Sequence, residues 1–484
     1  MSIYPKPVQL ATFLVCFFLF QGCSADQPTD AGLEVVPTEK TQTLSIQVIS
    51  GEGQSVLQRE TLPELVVVRV TDEQGQPVSS VSIQANANST SASVSPELAE
   101  TDANGEAQFS WTVGYDFDNV LSFELSADPS RKASTYASAT YRYFKPSLDA
   151  DGWPVDELDL LDDDVQDLLD GIDQIRRGLF TEIHSLIIVQ NGTLLLESYF
   201  PGKDSNGQVK QWSRTMSHEQ QSASKSFRSA LVGIALDKGF LSSLDQTIAP
   251  LFPELASYFT GTKKDISVRD MLTMSSGIQW NESGAAAGNS NNNLSHMYSL
   301  PRSSWNDYLF SQPMAFTPGS RFVYNTAASL LLDDIVVRAS GQTLRDFVFN
   351  NYFNVIESGN VLGSLPETGW TKTPREMAKL GQIYLDKGMW KSTRVVSEQW
   401  VEDSFTEHMA PSAALGYGYQ WWMQTLRTPN GTYRVRYASG NGGQIIMIVN
   451  ELDLVVVSTG GNFGSSLMNQ IFGLTETYVL PAFE

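Results

Sequence analysis

The sequence predicts a multi-domain protein with an N-terminal all-β sandwich followed by an α/β domain. In the second domain we expect an antiparallel sheet flanked by helices, plus a mostly helical subdomain. Short alternating apolar segments fill residues 43–146, which is typical of antiparallel strands. Residues 149–484 place strand-like hairpins at both ends and helix-like runs between them, which favours one sheet shared by the two end segments.

Composition narrows the function classes. The 484 residues include 54 acidic and 32 basic side chains, a net charge of −22, and 41% are hydrophobic, which is enough to form large cores. Lys and Arg form no cluster that could bind phosphates, so we expect no nucleic-acid partner. Two cysteines exclude a disulfide framework, and four scattered histidines give no metal-ligand spacing. We therefore predict neither a cofactor nor a metal.

The N-terminus resembles an export signal. Residues 10–20 are an apolar run too short to span a bilayer, and Gly22-Cys23 follows. This pattern is similar to a bacterial lipoprotein signal over residues 1–23, and the resemblance implies that Cys23 is lipidated. An ordinary cleaved signal is the alternative. Residues 24–42 lack periodicity and indicate a flexible tether. The resemblance implies an exported protein, outer-membrane-anchored or periplasmic, that meets the membrane only through the lipid.

Residues 43–146 predict a β-sandwich. Turn sequences around Gly75, Gly105 and Pro129 separate five strand-like segments. The patterns VTDEQGQPV and TDANGEAQFSW resemble the bacterial immunoglobulin-like domains of the invasin and intimin type. Because this region contains no catalytic pattern, we expect a spacer or a weak binding module.

An acidic helix is predicted at the start of the second domain. Residues 149–173 contain eleven acids and no base, but they lack the ligand spacing of a calcium loop. The apolar positions fall at helical spacing, namely Leu161, Val165, Leu168, Ile172, Ile175 and Leu179. Arg176 and Arg177 suit the last turn, and Gly178 suits the position after it. A solvated helix face is therefore favoured over a calcium site.

Two hairpins frame the rest of this domain. Asn191-Gly192 between apolar runs favours a type I′ turn, and residues 444–460 form the second hairpin pattern. Residues 467–480 are predicted to be a final helix. Residues 284–295 are low in complexity and indicate an exposed loop.

Ser222 and Lys225 are the candidate catalytic pair. They open an apolar helical run at a spacing of three, so they share one face. A helix N-terminus supplies free N–H donors to the serine, and burial in an apolar interior lowers the proton affinity of a lysine. A neutral lysine can accept the serine proton and so replace histidine as the general base. Because Ser-x-x-Lys also arises by chance, the motif indicates catalysis only if the surrounding sequence supports it.

That context resembles the serine β-lactamase-like family, which includes class C β-lactamases, D,D-peptidases, esterases and hydrolases of 6-aminohexanoate oligomers. Five segments match in order: QSASKSFRSALVGIALDKG, ISVRDMLTMSSGIQWNE, PGSRFVYNTAASLLLDDIV, TPREMAKLGQIYLDKGMW and SGNGGQIIMIVNELDLVVV. The resemblance spans about residues 150–484 and implies that Ser222 is the nucleophile and Lys225 its base. It also implies that Tyr324 shares the proton transfer. Tyr352, in the only literal Tyr-x-Asn of this region, is expected to pack in the core instead.

The third motif, Gly440-Asn441-Gly442, enters a strand. The resemblance implies that the N–H groups of Ser222 and Asn441 hold the oxyanion, and that Gly440 and Gly442 let the chain approach the substrate. Thr326 stands where β-lactamases have Asn, and we expect its hydroxyl to contact the substrate. Tyr417, Tyr419, Trp421 and Trp422 could line the pocket, although core packing is the more common role.

The departures from the family pattern indicate which type of hydrolase is favoured. The third motif contains no cation or imidazole to hold a substrate carboxylate, and residues 353–370 are shortened. These features favour a cell-envelope serine hydrolase acting through an acyl-enzyme on an ester, an amide or a peptide-like small molecule. The alternatives are a true β-lactamase or D,D-peptidase, and a non-enzymatic surface binding protein with a relic hydrolase domain.

Overall fold

The computed structural model describes residues 43–89, 92–114, 118–140, 143–282, 291–358 and 370–484. Cys23, the signal segment and the tether 24–42 lie outside the described residues, as does most of the predicted loop 284–295. Within the described ranges, no helix is long and apolar enough to cross a membrane.

The N-terminal domain is the predicted sandwich. Its described strands are β1 Ser45–Ser50, β2 Ser55–Leu57, β3 Val66–Thr71, β4 Ser82–Ala87, β5 Ser93–Ser95, β6 Leu98–Glu100, β7 Glu106–Thr112, β8 Asp118–Leu125 and β9 Asp128–Thr140. One sheet has the order β1-β3-β7-β5 and the other β2-β9-β8-β4-β6. Alternate residues of β3, β7 and β8 are buried between the sheets, including Phe109 and Trp111.

Turn chemistry fixes the strand connections. The Asp102 Oδ1 atom accepts hydrogen bonds from the N–H groups of Asn104 and Glu106 at 2.8 and 2.9 Å, and Gly105 takes a φ of +73°. This is an Asx turn, and it lies where the sequence predicts a turn around Gly105, between β6 and β7. Strand β9 was not predicted, because its inward positions, such as Ala137 and Ala139, are small and give a weak apolar signal.

The C-terminal domain is built on an eight-stranded antiparallel sheet. Its described helices are α1 Asp163–Arg176, α2 Ser224–Asp237, α3 Val268–Leu272, α4 Asn293–Ser299, α5 Trp305–Ser311, α6 Thr326–Ser340, α7 Leu344–Val348, α8 Pro374–Leu385, α9 Glu398–Ser404 and α10 Gln470–Leu474. The remaining described strands are β10 Ile183–Gln190, β11 Thr193–Tyr199, β12 Pro201–Lys203, β13 Val209–Gln211, β14 His218–Glu219, β15 Thr371–Lys372, β16 Met389–Trp390, β17 Thr393–Arg394, β18 Met409–Ser412, β19 Leu415–Tyr417, β20 Trp422–Arg427, β21 Thr432–Gly440, β22 Gln444–Val449 and β23 Leu454–Gly460.

The main sheet joins the two ends of the domain, as predicted. Its order is β11-β10-β23-β22-β21-β20-β19-β18, so β10 pairs with β23 across more than 260 residues of chain. Both predicted hairpins are present. Asn191 and Gly192 have φ values of +50° and +70°, as a type I′ turn requires. One face of the sheet packs on α2 and α8, α6 packs on α2, and the other face of the sheet shares a buried apolar cluster with α1 and α10.

The acidic helix forms, but over a shorter range than its apolar pattern predicts. Asp162 caps α1 by accepting hydrogen bonds from two N–H groups, and Gly178 follows the helix with a φ of +77°. Leu161 and Leu179 lie outside α1 and are 70% and 69% exposed, so the prediction that they belong to its buried face was wrong. The helix begins after Leu161 because Asp162 supplies the N-cap.

Candidate active site

The predicted nucleophile lies in a strained turn. Ser222 is the central residue of a 3₁₀ turn, Gln221–Ala223, that runs directly into α2. Gln221, just before it, has a φ of +48°, a left-handed conformation that costs a non-glycine residue roughly 1–2 kcal/mol. Strain of this kind persists only where the surroundings impose it, and it often marks functional sites.

Lys225 reaches the serine. Its Nζ atom lies 2.9 Å from Ser222 Oγ, as the spacing of three predicts. Lys225 is the second residue of α2, in a helix that is buried almost all round. Burial lowers the pKa of Lys225 to about 8; the Glu282 carboxylate opposes this shift and the Arg228 guanidinium adds to it. The neutral amine needed to deprotonate Ser222 is therefore accessible near neutral pH.

Tyr324 completes the predicted catalytic group. It lies just before α6, and the Lys225 Nζ atom is 4.9 Å from the centre of its ring. Burial raises the pKa of the Tyr324 phenol, the Glu282 carboxylate raises it further, and a hydrogen-bond interaction with Ser222 opposes the rise. The phenol therefore stays protonated and can act as a proton carrier beside Ser222.

The third motif packs against the turn Gln221–Ala223, which contains Ser222 and is called the nucleophile turn below. A Cβ atom on Gly440 would lie 2.3 Å from the Gln220 carbonyl oxygen, so only glycine allows this approach. Gly442 takes a φ of +92° and bends the chain between β21 and β22. Gly440 and Asn441 thereby come to the same cavity as Ser222.

That cavity has a volume of about 650 Å³. Its described walls are mostly apolar and aromatic, and they include Trp280, Phe322, Val323, Leu415, Trp422, Tyr437, Met468 and Phe472. Glu282 is the one charged residue among the described residues that line it. Thr326 and Gly442 are not among the lining residues, so the predicted contact of Thr326 with substrate stays a prediction.

Glu282 is the residue that sequence reasoning missed. Its carboxylate accepts hydrogen bonds from the Thr326 hydroxyl at 2.6 Å, from the Thr326 N–H at 2.8 Å and from Trp280 Nε1 at 2.6 Å. These bonds tie the cavity wall to the first residue of α6, next to Tyr324. The Thr326 contacts span 44 residues of chain, and no local motif marks them.

The aromatic residues divide between wall and core. Trp422 lines the cavity and stacks on Tyr324 with ring centres 5.9 Å apart, whereas Tyr417, Tyr419 and Trp421 are fully buried. Tyr352 is also buried, in edge contact with Phe227, which agrees with its predicted packing role. The shortened segment 353–370 is described only at its two ends.

Nothing in the described parts of the chain gathers three His, Cys, Asp or Glu side chains that could hold a metal ion. The described site itself brings together a serine hydroxyl, a buried lysine amine and a phenol.

Two family models match the sequence. Residues 175–357 match the Beta-lactamase family model, which agrees with a β-lactamase-like α/β fold in the second domain. Residues 58–146 match the model of the macroglobulin domain MG4, which agrees with the strand-rich sandwich. The match is to MG4, and the resemblance to invasin and intimin domains stays a prediction. No curated protein matches the chain.

Solved structures share the fold of the second domain. A putative 6-aminohexanoate-dimer hydrolase from Bacillus anthracis is 19% identical, with a TM-score of 0.52 over 70% of this chain and 90% of its own. EstCE1, a hydrolase with promiscuous acyltransferase activity, is 13% identical, with a TM-score of 0.51 over 65% of this chain and 100% of its own. Simvastatin synthase (LovD) from Aspergillus terreus is 13% identical, with a TM-score of 0.50 over 66% of this chain and 98% of its own. Such low identities establish the β-lactamase-like fold alone.

Proposed function

We propose that the β-lactamase-like domain is a serine hydrolase that cleaves an ester or amide through an acyl-enzyme. The observation that carries the proposal is the 2.9 Å contact between Lys225 Nζ and Ser222 Oγ at the wall of an open cavity. A nucleophile within hydrogen-bond reach of a buried base is the arrangement that activates a serine without histidine.

The reaction proceeds in two halves. Ser222 Oγ attacks the substrate carbonyl carbon and its proton passes to neutral Lys225, while the N–H groups of Ser222 and Asn441 stabilise the oxyanion. The intermediate collapses, the carbon–oxygen or carbon–nitrogen bond breaks, and the leaving group takes the proton through Tyr324. Water then attacks the acyl carbon, returns a proton to Ser222 through the same groups and releases the acid.

The cavity supports an uncharged or cationic substrate with apolar groups. Glu282 is the only charged lining residue that the structure describes, and it is negative. A substrate carboxylate would meet that charge, and no lysine or arginine is among the described lining residues to pair with it, which costs binding free energy. Penicillins, cephalosporins and peptides ending in D-Ala all carry such a carboxylate, so hydrolysis of an ester or a linear amide is better supported.

A Ser222→Ala variant tests the proposal. The wild-type protein should react with a fluorophosphonate probe and hydrolyse p-nitrophenyl butyrate, and the variant should do neither. Ser226→Ala is a matched control, because Ser226 Oγ is buried in a hydrogen bond to the Gln420 carbonyl and does not line the cavity. A Ser222→Ala protein that labels as fast as the wild type would overturn the assignment.

A substrate panel separates the alternatives. Short p-nitrophenyl esters, linear amides, nitrocefin and D-Ala-D-Ala peptides should be compared at equal enzyme concentration. Rapid turnover of nitrocefin with slow turnover of the esters would support a β-lactamase. A wild-type protein that neither labels with the probe nor turns over any substrate would support a binding protein with a relic domain.

We also propose that the protein is exported and held at the cell envelope through a lipid on Cys23. The support is the apolar run 10–20 followed by Gly22-Cys23. Expression in a bacterial host with radiolabelled palmitate should label the wild type and leave Cys23→Ser unlabelled. Export of an unlabelled, shortened wild-type protein would indicate an ordinary cleaved signal instead.

A further inference from the structure

A buried hydroxyl holds the strained turn in front of the nucleophile. Ser224 Oγ donates a 2.6 Å hydrogen bond to the carbonyl oxygen of Gln221, the residue with the left-handed φ of +48°. Ser224 is only 3% exposed, so water does not compete for this bond. Since the Gln221 carbonyl belongs to the peptide whose N–H is that of Ser222, fixing this carbonyl fixes the direction of the N–H.

A buried ion pair orients that hydroxyl in turn. Arg228, one turn further along α2, donates from Nη1 to Ser224 Oγ at 2.7 Å. Its Nε donates to Asp333 Oδ2 at 2.8 Å. The Ser224 hydroxyl thus accepts one bond and donates the other, which leaves its proton directed at Gln221. The contacts form one chain from Asp333 through Arg228 and Ser224 to the peptide of the nucleophile.

This chain also links the two catalytic helices. Arg228 and Lys225 both lie on α2, and Ser222 lies just before this helix. Asp333 lies on α6, which begins two residues after Tyr324. The side chain of Arg228 is 3% exposed and that of Asp333 is 12% exposed. A charged pair so far from water costs desolvation free energy and is weak evidence for stability by itself. The pair contacts the nucleophile turn through Ser224, which points to a role in holding that turn.

We infer that Arg228 and Ser224 are positioning residues for Ser222. Anchored by Asp333, Arg228 holds the Ser224 hydroxyl, and that hydroxyl holds the Gln221 peptide so that the Ser222 N–H points into the cavity. This inference rests on the proposed function, because it assigns these residues to the hydrolytic site. None of these side chains lines the cavity, so they act through Ser222 and do not touch the substrate.

Arg228 also affects the pKa of Lys225 electrostatically. This effect can be measured separately from the positioning, as a shift in the pH dependence of the rate. Among the described residues, the charged or titratable groups facing Lys225 are Glu282, which favours its ammonium form, Arg228, which disfavours it, and Tyr324, whose ring lies beside it. Removing Arg228 should therefore raise the pKa of Lys225 and move the acid limb of the rate profile to higher pH. Removing the Ser224 hydroxyl leaves all three groups in place.

The test compares three variants of the full chain. Ser224→Ala breaks the hydrogen-bond chain and keeps the ion pair. Arg228→Met with Asp333→Leu removes the pair without leaving a lone buried charge. Asp334→Asn is the matched control, since Asp334 is the next residue of α6 and pairs with Arg302 instead, at 3.2 Å. For each, the measurements are the rate constant of fluorophosphonate labelling, kcat and KM for p-nitrophenyl butyrate, and the thermal midpoint.

We expect Ser224→Ala and the double variant to label about tenfold more slowly or worse, with kcat reduced and KM nearly unchanged. Only the double variant should shift the acid limb to higher pH, and Asp334→Asn should behave like the wild type. If Ser224→Ala labels at the wild-type rate, the positioning role is wrong even where the double variant unfolds. If the wild type itself does not label, the proposed function fails and not merely this inference.

Discussion

The Nζ atom of Lys225 lies 2.9 Å from the Oγ atom of Ser222, and burial lowers the pKa of that lysine to about 8. Below that pH the ammonium form predominates and cannot accept the serine proton. We expect kcat/KM for p-nitrophenyl butyrate to rise about tenfold per pH unit up to about pH 8 and then to level off. Rates measured from pH 5.5 to 9.5 test this, and a flat profile would contradict a lysine base.

Tyr324→Phe should separate amides from activated esters. In the proposed reaction the phenol carries the proton to the leaving group; an amine needs that proton, and p-nitrophenolate leaves without it. We expect the variant to lose about 10²- to 10⁴-fold in kcat on a linear amide and much less on a p-nitrophenyl ester. Tyr352→Phe is the control, because its buried hydroxyl has no hydrogen-bond partner among the described residues. Equal losses on both substrates would argue against proton transfer by Tyr324.

Glu282→Gln should shift the acid limb in the direction opposite to the Arg228 variant. The Glu282 carboxylate favours the ammonium form of Lys225, so removing its charge lowers the pKa of Lys225 and extends activity to lower pH. The amide oxygen can still accept from the Thr326 and Trp280 N–H groups, and the amide NH2 can donate to the Thr326 hydroxyl, which keeps the wall in place. The midpoint of kcat/KM against pH is the measurement, and a shift to higher pH would contradict the assignment.

Gly440→Ala should damage the site through its backbone. The added Cβ atom would meet the Gln220 carbonyl oxygen at 2.3 Å, so β21 or the nucleophile turn must move. We expect kcat/KM to fall about 10²-fold, the cost of misplacing reacting groups by about 1 Å. Gly473→Ala is the control, because Gly473 lies in α10 with no atom within 4 Å of an added Cβ. A Gly440→Ala enzyme with full activity would show that the close approach is dispensable.

Two buried histidines should make folding sensitive to acid. His184 Nδ1 lies 3.0 Å from His218 Nε2, and burial lowers the pKa of His184 and brings that of His218 to about 3. Both pKa values lie below those of the unfolded chain, so the unfolded state binds more protons as the pH falls. The contribution to stability is therefore fully present above about pH 6.5 and is lost as the pH falls towards 3.

His218→Gln tests this sign. Between pH 7 and pH 4 the free energy of unfolding should fall less in the variant than in the wild type, by about 1 kcal/mol or more. Urea denaturation followed by tryptophan fluorescence is suitable, because Trp212 contacts His218 with ring centres 3.8 Å apart. Parallel curves for the two proteins would show that His218 does not carry the acid sensitivity.

Local patterns carried much of the prediction. Asn191-Gly192 specified its turn, Gly178 marked the end of α1, and the spacing of Ser222 and Lys225 placed both groups on one face. Each of these features depends on residues close together in the chain, where backbone geometry fixes the outcome. The order of the five family-like segments added Tyr324 and the third motif.

The chain sequence by itself therefore determined the two-domain architecture, the shared sheet and the candidate nucleophile with its lysine. Only the tertiary structure decided what surrounds them. Glu282 meets Thr326 across 44 residues, and Arg228 meets Asp333 across 105. Such contacts form where separate elements pack, and no local period encodes them. They place the Glu282 charge at the cavity and the Arg228 charge beside Ser224, which is why the sequence alone could propose the chemistry but not its electrostatic surroundings.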